Sequence, residues 1–143
     1  PFVSLIHGVD SLKLLKEINK QAQKLDRTID CLLQLKIAEE DSKFGMAFAE
    51  AKALLLSEEF NAMKHITVLG VMGMATFTED DVQIKAEFTK LKTAFEYLKE
   101  IKTVNSELQT ISMGMSSDYE IAIACGSTMI RVGSSIFGER NYN

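Results

Sequence analysis

The chain has 143 residues, a net charge of −4 from 16 basic and 20 acidic side chains, and a hydrophobic fraction of 46%, as expected of one globular domain. No Lys/Arg-rich stripe offers nucleic acid an electrostatic footprint, and no apolar run approaches the roughly 20 residues needed to cross a bilayer. Cys31 and Cys125 stand alone, without a CxxC partner or a histidine at metal spacing, so they read as small buried hydrophobes of a reducing, cytoplasmic compartment.

Residues 2–7 form a short, mostly apolar run, the first expected strand. Asp10 follows as an N-cap for a helix in which Leu14, Leu15, Ile18, Ala22 and Leu25 share one face. Residues 28–37 are apolar with β-branched residues at both ends, the pattern of a buried parallel strand. An acidic loop over 38–42 and Lys43-Phe44-Gly45 lead into a helix rich in Ala and Leu over about 46–56, with a further turn over 58–63.

The third strand, residues 66–74, contains Gly70 and Gly73, which predicts a close approach by a neighbour or by a ligand at its end. Thr78 and the acidic Glu79, Asp80 and Asp81 read as the start of a helix whose buried stripe is Phe88, Leu91, Phe95 and Leu98, lasting to about Lys102. The fourth strand is expected over 108–113. Ser116 or Ser117 then caps a short helix through Cys125, stopped by Gly126. The fifth strand covers 128–132, and residues 134–137 open a last helical turn.

Strand and helix alternate five times, which implies an α/β fold with a parallel sheet, either an open doubly wound sheet or part of a (β/α)8 TIM barrel. A complete barrel rarely has fewer than about 200 residues. Five units therefore fit a partial (β/α)8 barrel, roughly its last five units, with residues 1–143 as one incomplete domain.

The chemistry concentrates in the last two units. In (β/α)8 barrels the loops after strands seven and eight commonly hold a phosphate at a short helix. Here Ser116 and Ser117 follow the penultimate strand, and Gly133-Ser134-Ser135 follow the last. Glycine lets backbone N–H groups approach an anion, and serine adds a hydroxyl donor. Arg131 lies in an otherwise apolar strand, where an unpaired charge is costly. By alternation it shares a face with Met129 and Gly133. It is placed to serve a phosphate or a ring nitrogen, or else to pair with a carboxylate.

Several segments resemble the YggS/PROSC-type pyridoxal phosphate homeostasis proteins, which share the barrel of the alanine racemase N-terminal domain. They are Ser112-Met113-Gly114-Met115-Ser116-Ser117-Asp118, the run from Gly126 through Arg131 to Ser134, and Ile136-Phe137-Gly138-Glu139-Arg140. His7-Gly8-Val9-Asp10-Ser11, Leu33-Gln34-Leu35-Lys36-Ile37, Lys43-Phe44-Gly45 and Leu69-Gly70-Val71-Met72 resemble further family segments, in order along the whole chain. The resemblance implies that Ser116, Gly133 and Ser134 hold the phosphate of pyridoxal 5′-phosphate and that Arg131 faces its pyridine nitrogen. A permanent cation there keeps the nitrogen unprotonated and weakens the ring as an electron sink, which suits binding better than carbanion chemistry.

The resemblance also implies about three more βα units ahead of this chain, one carrying the lysine that links covalently to the cofactor. The chain is thus expected to be the C-terminal portion of a longer protein. Lys36 stands where the family has Asn and shares a face with Gln34, so it either points into the barrel mouth toward a ligand or, the favoured reading, is a partly solvated lysine paired with the acidic loop; His7 and His65 read as structural. An alternative function is that of an amino-acid racemase of the alanine racemase class, which needs a catalytic tyrosine. Tyr97, Tyr119 and Tyr142 lie in no site motif. Five strands leave two open edges, so self-association is expected.

Overall fold

A computed structural model describes residues 1–40 and 44–142. Lys43 of the Lys43-Phe44-Gly45 turn lies outside the described residues, as do Asp41, Ser42 and Asn143. The elements run β1 (Leu5–Val9), α1 (Leu12–Lys24), β2 (Ile29–Gln34), α2 (Phe48–Leu56), α3 (Glu58–Asn61), β3 (Ile66–Met72), α4 (Asp81–Lys99), β4 (Ser106–Met115), α5 (Tyr119–Ala124), β5 (Met129–Arg131) and α6 (Ser134–Phe137). All strand pairs are parallel, and the sheet order is β1-β2-β3-β4-β5. A doubly wound sheet reverses its direction of growth once, at its switch point. This sheet never does, so each unit is laid beside the last as in a barrel.

Several helices and strands start later than their local sequence suggests. Ser11, not Asp10, caps α1: its Oγ accepts from Leu14 N at 3.1 Å. Asp80, not Thr78, caps α4, accepting from Val82 N at 3.1 Å and Gln83 N at 3.2 Å. The first strand begins at Leu5 because pairing with β2 sets it, Leu5 lying beside Asp30 and Ile6 beside Cys31, while Phe2 and Val3 remain exposed.

The main core joins one face of the sheet to the helices. Val9, Cys31, Leu33, Val68, Ile111 and Met113 form one cluster with Leu15, Leu54, Leu55, Phe88 and Leu91. Burying side chains of this size stabilises by about 1.5–3 kcal/mol each. The alternate residues form the concave face, where Gln34, Met72, Ser112 and Met129 lie side by side across β2 to β5. Gln34 and Ser112 are both buried.

Curvature is visible in one contact. His7 of β1 lies 3.1 Å (Nδ1 to Oγ) from Ser112 of β4, although β2 and β3 separate those strands. Three strand spacings in a flat sheet would part them by roughly 14 Å. Gly70 contributes to this shape. Between Val68↔Ser106 and Gly70↔Thr110 the pairing advances two residues along β3 but four along β4. The surplus of β4 presses onto Gly70, where a Cβ would lie 1.8 Å from the Thr110 carbonyl oxygen. The close approach expected at this glycine is thus made by neighbouring backbone.

The loops at the carboxyl ends of β2 and β3 are tied by a buried carboxylate. Glu87 of α4 accepts from Thr76 N at 3.1 Å and from Thr76 Oγ1 at 2.5 Å. Thr76 Oγ1 in turn accepts from Glu39 N at 3.0 Å.

Gly70→Ala is expected to cost about 3 kcal/mol or more in urea denaturation, because backbone must move. At Gly73 an added Cβ meets only the ends of the Leu91 and Ile37 side chains, at 2.8 and 3.0 Å, so Gly73→Ala is expected to cost less. Equal costs would contradict the packing described.

Candidate functional site

Arg131 ends β5 with its guanidinium on the concave face, partly buried. Nη1 donates to Ser112 Oγ at 2.6 Å, and Nη2 donates to the Gly73 carbonyl at 3.2 Å. Gly73 N donates to the Ser112 carbonyl at 3.1 Å, so the two acceptors are fixed to one another. No ion pair to Arg131 occurs among the described residues. Burial lowers the guanidinium's pKa from its ordinary value, opposed by the negative charge of Asp118. The group remains a cation.

Ser112 Oγ joins Arg131 to His7. A guanidinium only donates, so Ser112 accepts there and has one hydrogen of its own to place. His7 Nδ1, at 3.1 Å, is its acceptor. With Nδ1 in that acceptor role, the proton of a neutral His7 sits on Nε2. Burial, and then the Arg131 cation, pull its pKa below the ordinary histidine value.

The two Gly/Ser turns meet at Ser116. Its Oγ accepts from Gly133 N at 3.1 Å and from Ser135 N at 3.3 Å. Ser116 therefore does not cap the following helix, contrary to the reading from sequence. Asp118 is the N-cap residue of α5, and its Oδ1 accepts from Met115 N at 2.7 Å, closing the turn that aims Ser116 back at β5. Two backbone N–H groups converging on one oxygen form an arrangement suited to an anion. A Cβ on Gly133 would meet no atom within 4 Å, so the approach to these N–H groups is open. Ser134 opens α6 and is exposed.

Of the residues singled out from sequence, Ser116 and Gly133 are thus joined directly, Ser134 lies between the two residues whose N–H groups converge on Ser116, and Arg131 stands two positions before Gly133, turned to Ser112 and Gly73. Ser112 and His7 were missed as site residues. The available signal was Ser112 itself, a polar residue between Ile111 and Met113 in the phase of the concave face. Lys36 is exposed, and its backbone N–H donates to Met46 O at 3.0 Å. Asp41 and Ser42 of the acidic loop with which its side chain is expected to pair lie outside the described residues. His65 is structural, its Nδ1 donating to Arg27 O at 2.9 Å ahead of β3. Tyr97 lies on α4 and accepts from Lys52 Nζ of α2 at 3.0 Å.

Cys31 is fully buried, and its thiol pKa is pushed up to about 12 by burial and the Asp30 charge. Cys125 is half-buried. Among the described residues no group of three or more His, Cys, Asp or Glu side chains is placed to hold a metal ion, and no helix is long and apolar enough to cross a membrane.

The depressed pKa of His7 has a thermodynamic consequence. Below about pH 6.5 the unfolded chain takes up a proton that the folded chain resists, so stability falls with falling pH until the folded pKa is passed. Thermal melts from about pH 7 to about pH 5 should show a smaller decline for His7→Asn, which lacks this group, than for the parent. Identical declines would contradict the assigned protonation state.

The geometry can be set beside known proteins. A family model described as alanine racemase, N-terminal domain, matches residues 3–141. The pyridoxal phosphate homeostasis protein of Helicobacter pylori is 36% identical over 136 residues, covering 95% of this chain and 58% of its own. PipY of Synechococcus elongatus, solved without PLP, superposes with a TM-score of 0.85 at 31% identity, over 94% of this chain and 61% of PipY. PipY with PLP bound gives 0.81 at 30% identity. The chain spans between 56% and 60% of the length of the curated relatives it matches. The partial barrel is common to these structures, and the chain belongs to the alanine racemase N-terminal domain family.

Proposed function

We propose that this chain carries the phosphate- and ring-nitrogen-binding half of a pyridoxal 5′-phosphate site, and that it serves cofactor homeostasis by binding rather than by turnover. The observation that carries this reading is the convergence of the Gly133 and Ser135 N–H groups on Ser116 Oγ, reached by an open approach at Gly133. Those donors fit a phosphate: its oxygens replace the serine oxygen as acceptor, and the Ser116 hydroxyl turns to donate. Ser134 adds a second hydroxyl at the same turn.

Arg131 takes the ring-nitrogen role. It is held by neutral oxygens, so its charge is left to act on whatever enters the concave face. Pyridoxal phosphate, when bound, supplies an aldehyde and an electron-withdrawing ring. A fixed guanidinium has no acceptor lone pair and donates to a ring nitrogen, keeping it unprotonated and limiting the ring's capacity to stabilise a carbanion. Binding without turnover also agrees with the placement of Tyr97 out on the helices. The names and the bound cofactor of the relatives support the same reading. The two free cysteines suit a reducing, cytoplasmic setting, and the unpaired edges of β1 and β5 favour self-association of the chain.

Gly133→Asp is the discriminating variant. The backbone at Gly133 has φ −128°, outside the left-handed region that favours glycine, and its Cβ meets nothing, so the melting temperature should fall by no more than a few degrees. A carboxylate at the mouth of the cradle should weaken pyridoxal phosphate binding by more than about tenfold in absorbance titrations. Equal affinity in parent and variant would sink the phosphate assignment. Incubation with L-alanine should yield no D-isomer; measurable conversion would favour the racemase reading.

A further inference from the structure

The polar chain on the concave face extends past the residues assigned to the cofactor and ends at His7. Ser112 is fully buried, and among the described residues its hydroxyl has two partners, Arg131 Nη1 at 2.6 Å and His7 Nδ1 at 3.1 Å. Only one proton arrangement satisfies all three groups. Arg131 donates to Ser112, Ser112 donates to His7, and His7 keeps its proton on Nε2. Were Nδ1 protonated instead, the serine oxygen would accept twice, its own buried hydrogen would lose its acceptor, and such a group is costly to leave unmade.

We propose that His7 is a positioning residue: as a neutral Nδ1 acceptor it fixes the rotation of the Ser112 hydroxyl, and through it the guanidinium of Arg131. The inference rests on the cofactor reading above only for what Arg131 then does. The coupling runs both ways, since the Arg131 cation favours the neutral form of His7. The surrounding elements add little charge of their own. β2 brings Asp30, which pairs with Leu5, two residues before His7. β3 has no ionisable side chain between Ile66 and Met72. β4 has only Glu107, at the opposite end of the strand from Ser112. β5 brings Arg131, with Asp118 acting on it from the preceding turn.

The role explains a feature that the two Gly/Ser turns leave unexplained. The phosphate cradle needs only α6 and the turn after β4, yet the guanidinium beside it is gripped from β3 and β4 and braced from β1. A bracing residue from the far strand fixes direction in a way that a flexible cation at the sheet's edge does not achieve alone.

Nitrogen NMR of the histidine rings, on the chain without cofactor, tests the relay directly. His7 should show an unprotonated Nδ1, a protonated Nε2 and a titration below 6.5, and Arg131→Met should move that titration upward. The Arg131 side-chain N–H signals should be resolved in the parent and averaged in His7→Leu. A protonated Nδ1, a titration indifferent to Arg131→Met, or Arg131 signals unchanged in His7→Leu would overturn the proposal. With pyridoxal phosphate as probe, His7→Leu should bind about tenfold more weakly than the parent, and His7→Asn, whose Oδ1 can take the place of Nδ1, should recover most of that loss. A His7→Leu variant that binds like the parent, or a His7→Asn variant no better than His7→Leu, would equally overturn it. If the parent itself does not bind pyridoxal phosphate, the cofactor reading fails, and the NMR arms still decide the relay.

Discussion

A partly buried guanidinium with no carboxylate partner among the described residues sets the terms for the rest of this structure. Removing such a charge from water costs several kcal/mol unless its donors are satisfied. Here the donors go to Ser112 Oγ and the Gly73 carbonyl, on β4 and just beyond β3. Hydrogen bonds to charged groups contribute about 1.5–3 kcal/mol each, enough to hold the group in place without cancelling its charge. The result is a fixed positive charge on the concave face, on a residue two positions before the first of the backbone donors that converge on Ser116 Oγ. Such a surface is electrostatically suited to an anion.

That grip is possible because the sheet is curled. In a flat sheet, residues two and three strands apart stand about 10 and about 14 Å from one another, yet Arg131 of β5 reaches just beyond β3 and His7 of β1 reaches β4. The shape follows from several local choices acting together. Units are added on one side only. The pairing shift at Gly70 lets β4 press onto β3, and Glu87 binds Thr76 to draw the neighbouring loops together over the same end of the sheet. Each is a packing feature of the scaffold, and each bears on where the site residues converge.

Much of this was legible in the chain. Five strand-helix alternations pointed to a partial barrel, with which the family and fold agree, while the Gly/Ser composition of the last two turns and a lone arginine in an apolar strand drew attention to the residues around Ser116, Gly133 and Arg131. The parts that were not legible depend on partners far away in sequence. Ser116 looks like a helix cap locally; only the position of Gly133 and Ser135 shows that its hydroxyl faces across to β5. Gly70 announces a close approach, but whether a ligand or a strand makes it depends on the pairing register. His7 and Ser112 are 105 residues apart, and no spacing rule relates them. Helix starts moved by one or two residues because the competing caps, Asp10 and Ser11 or Thr78 and Asp80, differ only in tertiary setting.

Curvature brings β1, β4 and β5 into one polar cluster. Nuclear Overhauser contacts in the chain itself test it most directly. The account predicts cross-peaks from the His7 ring protons to the Ser112 Hβ protons, given the 3.1 Å separation of Nδ1 and Oγ. A flat sheet would hold those strands roughly 14 Å apart, beyond the range of the effect. Complete backbone and side-chain assignments with no His7–Ser112 cross-peak would contradict the account.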